Sequence, residues 1–199
     1  MTGEQLQTVG DESFDHEKAR RGTRLLLEGM GRDPNEGALA ETWERRVPDA
    51  LETLSEGYRD EAKPQMRTFD AGETTSELVI KTRIPVHSLC KHHLLPYTGT
   101  VHIGYRPGDE VVGLSKLTRY VRWQARRLTV QERLTTDIAT GLAEEIDAEG
   151  VVVVSATHLC EAIRGVETGT ETRTTATVGD AGNEARRRVL DAMQTAETI

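Results

Sequence analysis

Two spacings of apolar residues divide this chain. Between Phe14 and Met30, apolar positions that include Leu25, Leu26 and Leu27 fall among charged ones as on an amphipathic helix, and Gly29 and Gly31 mark its end. Arg32-Asp-Pro-Asn reads as a loop. A second helical stretch covers about 38–55 and stops at Gly57-Tyr58, with Pro48 inside it, so a kink or restart after Arg46 is expected. From Met66 the period shortens. Residues 77–85 mix β-branched and polar side chains as a strand does, and residues 98–106 alternate more plainly, with Val101, Ile103 and Tyr105 on one face. The stretch between them is expected to be a loop, and Pro107-Gly-Asp a turn. Ser115 is the expected cap of a helix running to about Leu128. Thr129-Val-Gln-Glu132 matches a capping box opening another helix to about Ile146. Strands over 151–159 and about 170–178 follow, then a short helix near 183–193. The order is two strands, two helices, two strands. An α+β fold results, with a polar, disordered tail expected over 1–12, a helical extension over 13–62 and the main domain over 63–199.

Composition adds one structural expectation. With 36% hydrophobic and 4% aromatic residues among 199, the core of a single chain is thin, which points to burial between subunits. The net charge of −8, from 33 acidic against 25 basic residues, speaks against general nucleic-acid binding, which relies on broad positive fields. Such a surface suits a high-salt cytoplasm in which self-repulsion is screened. No apolar run is long enough to span a bilayer, and Met1-Thr-Gly-Glu-Gln lacks a signal-peptide core, so a cytoplasmic protein without a membrane partner is expected.

The soft-metal ligands are concentrated in two short segments. Cys90, His92 and His93 lie in one, and His158 with Cys160, the only other cysteine, in the other. Cys90-x-x-His93 is a loop-sized bite for a thiolate and an imidazole on one ion, and zinc favours such ligands in tetrahedral geometry. His158 and Cys160 end an apolar, β-branched run, and as alternate residues of a strand they would share a face. Three ligands, Cys90, His93 and Cys160, would leave the fourth position open for water, as in a catalytic zinc site, with His92 and His158 free for proton transfer. Two buried thiols, or a closed structural site with His92 or His158 as fourth ligand, are the alternatives that spacing alone leaves open. His16, His87 and His102 are read as having no chemical role.

Four segments in one collinear order, Cys90-Lys-His-His93, Gly113-Leu-Ser-Lys116, Val130-Gln-Glu-Arg-Leu134 and Thr157-His-Leu-Cys-Glu-Ala-Ile-Arg-Gly165, closely resemble the motifs of the GTP cyclohydrolase I family. The resemblance covers roughly residues 36–178. It implies the tunnelling fold, in which ββααββ units assemble into a homodecamer with active sites at subunit boundaries. It also implies conversion of GTP and water to 7,8-dihydroneopterin triphosphate and formate. Carried over by motif, Cys90, His93 and Cys160 would bind Zn2+, and water would attack C8 of the guanine. His158 would act as acid and base at the opening imidazole ring, His92 would assist ribose opening, and Ser115 would help the sugar rearrange. Gln131 and Glu132 would read guanine; Lys116, Arg119, Arg164 and Arg45 would hold the triphosphate. Arg122, Arg126 and Arg127 are read as a solvent-facing set outside the site. The chain departs from the family pattern at Lys91, at Thr42-Trp43 and after Val178, where Gly179-Asp-Ala-Gly-Asn replaces an apolar tail.

Overall fold

A computed structural model describes residues 13–70, 77–164, 167–180 and 182–197. The tail expected over 1–12 and Gly165 of the fourth motif lie outside them. The extension comprises α1 (His16–Gly29), a single turn α2 (Leu39–Glu41), a π-helical turn over Thr42–Arg46, and α3 (Val47–Ser55). The kink expected at Pro48 takes the form of this π turn. Pro48 has no N–H for the carbonyl four residues back, that of Glu44, and Arg20 Nε of α1 donates to that oxygen instead at 2.7 Å. Trp43 anchors the same turn, its Nε1 donating to Pro34 O at 3.1 Å and Arg24 lying over its ring at 5.1 Å.

The main body follows the expected order with short additions. β1 (Thr68–Asp70) pairs with β4 (Glu110–Val112). The main sheet consists of β2 (Val79–Cys90), β3 (Pro96–Arg106), β5 (Leu128–Thr129), β6 (Glu149–His158) and β7 (Glu171–Val178), in the order β5-β2-β3-β6-β7. All pairings are antiparallel except the two-residue parallel bridge of β2 to β5. The helices are α4 (Leu114–Ala125), α5 (Gln131–Ile146), one turn α6 (Leu159–Ala162), and α7 (Gly182–Glu197). Alternation along β6 divides the core. Val152, Val154 and Ala156 meet Leu117, Val121, Leu134 and Ile138 of α4 and α5, while Val153 packs with Ala185, Val189 and Met193 of α7. The departure after Val178 therefore ends in a 16-residue helix that covers the second face of the sheet, longer than the short one expected. Among the described residues no helix is long and apolar enough to cross a membrane.

Three further expectations are corrected. β2 does not stop at Pro85 but runs to Cys90, with Pro85 opposite Thr100; β5 covers only Leu89 and Cys90, so at Pro85 the strand is an edge, where proline is tolerated. Neither capping signal is used. Helix α4 starts at Leu114 after Gly113, one residue before Ser115, and α5 starts after Val130 because Thr129 is engaged in the bridge to Cys90 and its hydroxyl donates to Val130 O. The arginines at the end of α4 do not simply face solvent either. Arg126 pairs with Glu56, and Arg127 donates to Gly57 O at 2.8 Å while stacking over Trp123 at 4.2 Å.

These contacts dock the extension on the body, and Gly57 is where the backbones come closest. Its N–H donates to Arg126 O at 2.8 Å, and a Cβ at this position would lie 2.2 Å from Trp123 O and 2.7 Å from Arg126 O. Both obstacles are main chain. Gly57→Ala should therefore lower stability by about 1–3 kcal/mol through overpacking, measured by denaturant unfolding; an unchanged midpoint would show that the docking does not rest on this approach.

Candidate metal centre

Strand β2 ends at Cys90, and the chain reverses through Lys91–Leu95 into β3. The reversal is tight. His93 N and Leu94 N both donate to Cys90 O, at 3.3 and 2.9 Å, Cys90 N donates to Leu95 O at 2.9 Å, and Leu94 takes φ 55°. A leucine in the left-handed region carries backbone strain, and here it accompanies the closure in which Cys90 N meets Leu95 O. His93 Nδ1 lies 3.7 Å from Cys90 Sγ.

Cys160 completes the group, though not by the route expected. It does not continue the strand of His158 but sits in the single turn α6, so the shared-face argument fails, because β6 ends at His158. The turn nevertheless carries the thiol back to the hairpin. One ligand atom from each of Cys90, His93 and Cys160 falls within a mutual 4.8 Å. Neither His92 nor His158 belongs to this group among the described residues; His92 is exposed and meets the His93 ring edge-on at 6.2 Å.

The donor set fits zinc. Bond lengths of about 2.3 Å to sulfur and 2.0–2.1 Å to nitrogen at a tetrahedral angle put S and N about 3.6 Å apart, close to the Cys90–His93 separation. Burial, and then the adjacent Cys90 thiol, push the Cys160 thiol upward. A divalent cation removes that penalty, since it stabilises both thiolates together. Two sulfurs and one imidazole nitrogen form a soft set that would leave one tetrahedral position to a non-protein ligand.

His158 stands beside the group in a fixed setting. Its ring stacks on Tyr97, directly opposite it in the β3–β6 register, at 4.6 Å and 22°, and its Nε2 lies 2.8 Å from Gln131 Oε1. Gln131, expected to read guanine, is 1% exposed, and its amide nitrogen donates to Val154 O and Thr172 O, at 3.0 and 2.8 Å. Each N–H of that amide and its oxygen thus already has a protein partner. Glu132, one residue on, is exposed at the same end of the sheet. Tyr97 carries no sequence signal of this role, because it lies just before the strand expected over 98–106 and meets His158 only through the β3–β6 register. Its hydroxyl approaches Ser88 but is the only buried side-chain polar atom without a hydrogen-bond partner among the described residues, and burial pushes its pKa up to about 12.

Three of the four phosphate-binding candidates, Lys116, Arg119 and Arg45, lie elsewhere. Lys81 Nζ donates to Leu114 O at 2.7 Å, which fixes the start of α4, and with it Ser115 and Lys116, beside Lys81. Lys81 is nine strand residues from Cys90 in β2, on the order of 30 Å at about 3.3 Å per residue. Lys116 and Arg119 line an open cavity of about 380 Å³ with Arg122, Lys63, Glu56 and Glu61, and none of the Cys–His–Cys group lines it. Arg45 is on the extension, between Glu41 and Asp49 at 3.3 and 3.8 Å. Arg164 is exposed just after α6. Within one chain, therefore, the Cys–His–Cys group, His158, Gln131 and Glu132 share one end of the sheet, and Ser115, Lys116 and Arg119 are not brought to it.

Residues 19–195 match the family model described as GTP cyclohydrolase I. A protein of Corynebacterium glutamicum (strain R) named GTP cyclohydrolase 1 is 43% identical over 179 residues, covering 88% of this chain and 90% of its own. Proteins of the same name from Synechococcus sp. (strain JA-2-3B'a(2-13)) and Halalkalibacterium halodurans are 44% and 41% identical, covering 82% and 87% of this chain and 72% and 93% of theirs. The solved structure of the archaeosine synthase QueF-Like in the apo form overlaps 55% of this chain and 100% of its own, at TM-score 0.46 and 17% identity.

The orphan hydroxyl of Tyr97 gives a direct test of the packing around His158. Tyr97→Phe keeps the stack and removes a buried group that makes no hydrogen bond, so stability should rise by about 1 kcal/mol. Denaturant unfolding measures it; a loss of stability would show that the hydroxyl has a partner after all.

Proposed function

The chain belongs to the GTP cyclohydrolase I family, and on that premise we propose how its residues divide the work on GTP. It is a GTP cyclohydrolase, hydrolysing and rearranging GTP to 7,8-dihydroneopterin triphosphate and formate. The observation that carries the assignment of roles is the convergence of Cys90, His93 and Cys160 beside a histidine, His158, that stays out of the ligand set.

Cys90, His93 and Cys160 would hold Zn2+. A zinc ion there supplies Lewis acidity that makes water a nucleophile near neutral pH. The other roles belong to side chains of the protein. His158 gives and takes the proton at the imidazole ring of guanine as that ring opens, and its clamped setting suits repeated transfer at one atom. Glu132 accepts hydrogen bonds from the guanine N–H groups, which an exposed carboxylate at the start of α5 can reach without leaving a buried charge behind. His92 assists opening of the ribose, and Ser115 its rearrangement.

Lys116, Arg119, Arg164 and Arg45 take the triphosphate. Lys116, Arg119 and Arg164 have no carboxylate partner among the described residues of a chain with an excess of acids, which leaves them available to phosphate oxygens. Lys116 and Arg119 lie too far along the sheet to meet a nucleotide bound at the Cys–His–Cys group of the same chain, so the site is completed by a second copy. A homo-oligomer, a decamer on the family pattern, is the assembly proposed. Leu25, Leu26 and Met30, at 64–67% exposure on and just after α1, and Phe69 at 59%, are apolar surface that such contacts would cover. A cytoplasmic location accords with a nucleotide substrate.

Formate release from GTP by the purified protein tests the activity, and two pairs of outcomes test the roles. Cys160→Ser should lose its zinc on elemental analysis, whereas His158→Ala should keep it and lose about 10²–10⁴-fold in rate; loss of zinc from His158→Ala would make that histidine a ligand. Glu132→Gln should retain the fold and lower kcat/KM for GTP by the equivalent of about 1–3 kcal/mol or more. Wild-type kinetics in that variant would remove Glu132 from guanine recognition.

A further inference from the structure

Gln131 occupies a position that family resemblance gives to guanine, yet its carboxamide is directed into the protein. Nε2 donates to Val154 O of β6 and Thr172 O of β7 and lies 3.2 Å from Thr174 Oγ1. Carbonyl oxygens only accept, so the amide nitrogen must face the strands and Oε1 must face His158. Oε1 in turn can only accept. The imidazole Nε2, 2.8 Å away, therefore carries a proton, and the lone pair of the neutral ring is on Nδ1. Thr174 is itself held by Thr135, whose Oγ1 donates to the main-chain carbonyl of Gln131 at 2.8 Å and lies 2.6 Å from Thr174 Oγ1. The Tyr97 stack fixes the plane of the ring while the amide fixes its rotation about that plane.

We propose that Gln131 is the positioning residue of His158, holding the ring with Nε2–H against the protein and Nδ1 as the nitrogen offered to the substrate, while guanine is read by Glu132. Gln131 thereby links three elements, α5, β6 and β7, to the orientation of one proton-transfer group. The proposal rests on the cyclohydrolase reading for what Nδ1 does, but not for which nitrogen bears the proton.

Two measurements decide it. In zinc-loaded protein labelled with ¹⁵N-histidine, at a pH where the ring is neutral, long-range ¹H–¹⁵N spectra should show Nε2 protonated for His158, identified as the signal pair absent from His158→Ala. A ring protonated on Nδ1 would overturn the proposal, and this arm needs no substitution at Gln131 and no activity. In the second arm, Gln131→Met should lower kcat for formate release by about 10–100-fold, by analogy with the loss of a hydrogen-bond partner that orients a metal-bound histidine, with KM for GTP unchanged. Made in the His158→Ala background, the same change should cost nothing further, because the two residues act as one unit. A raised KM with kcat intact, or losses that multiply, would return Gln131 to guanine recognition. Thr174→Val, which removes only a brace of the amide, should give a smaller loss in kcat with the same silence in the His158→Ala background. Absence of formate release by the wild-type protein would count against the cyclohydrolase reading alone, and the tautomer would still be read.

Discussion

Cys90 is held by the main chain on every side. Its N–H and C=O are both bonded inside the hairpin, it pairs in parallel with Thr129, and Lys91 N donates to Thr129 O at 3.1 Å. That two-residue bridge is a short piece of sheet with a long reach. Helix α5 begins two residues after Thr129, so the pairing delivers Gln131 and Glu132 to the end of β2. From there the Gln131 amide spans β6 and β7 and meets His158. Cys90, His158 and Glu132, to which the proposed roles fall, are thus set by hydrogen-bonded backbone, on elements more rigid than loops, which is the condition for placing several side chains closely.

Strain and burial in this region are local and have identifiable uses. Leu94 accepts a left-handed backbone so that the turn can close over Cys90, and Tyr97 buries a hydroxyl without a partner so that its ring can lie flat on His158. Each is unfavourable alone. Both are offset by the packing of β3, whose Val101, Ile103 and Tyr105 lie in the core formed with α4 and α5. A chain with few aromatics spends two of its four tyrosines on β3, one under His158 and one bonding Val112 N at 3.1 Å, where it ties down β4 just ahead of α4.

Element order was legible because it depends on period: the two long strands, the two helices and the closing pair of strands all follow from alternation or its absence. Boundaries depended on partners that a single sequence does not display. Pro85 looked like a strand end because nothing local says that β2 is an edge there. Ser115 and Thr129 looked like caps because their competing engagements, the earlier start of α4 and the bridge to Cys90, are set at long range. The donor types and the Cys90–His93 bite were readable from spacing, whereas the Cys160 turn was not, since nothing local says that the strand stops at His158. The inward amide of Gln131 was invisible for the same reason. A glutamine at a helix start carries no sign of whether it faces a ligand or two strands.

The geometry of one chain also explains why the thin core is not a defect. Nine strand residues separate Lys81, against which α4 begins, from Cys90, a span that the extended body of a nucleoside triphosphate does not cover. On the proposed division of roles, the Cys–His–Cys group at one end of the sheet and Lys116 and Arg119 at the other would serve the same GTP only if neighbouring copies were set end against end. Such contacts would remove from water the apolar side chains that the single chain leaves uncovered, and would bring free cations into an acidic surface at the point where phosphate requires them. In the proposed oligomer burial and catalysis would be met by the same contact, since a subunit boundary that completes the site would also supply apolar burial that a chain of 36% hydrophobic residues lacks alone.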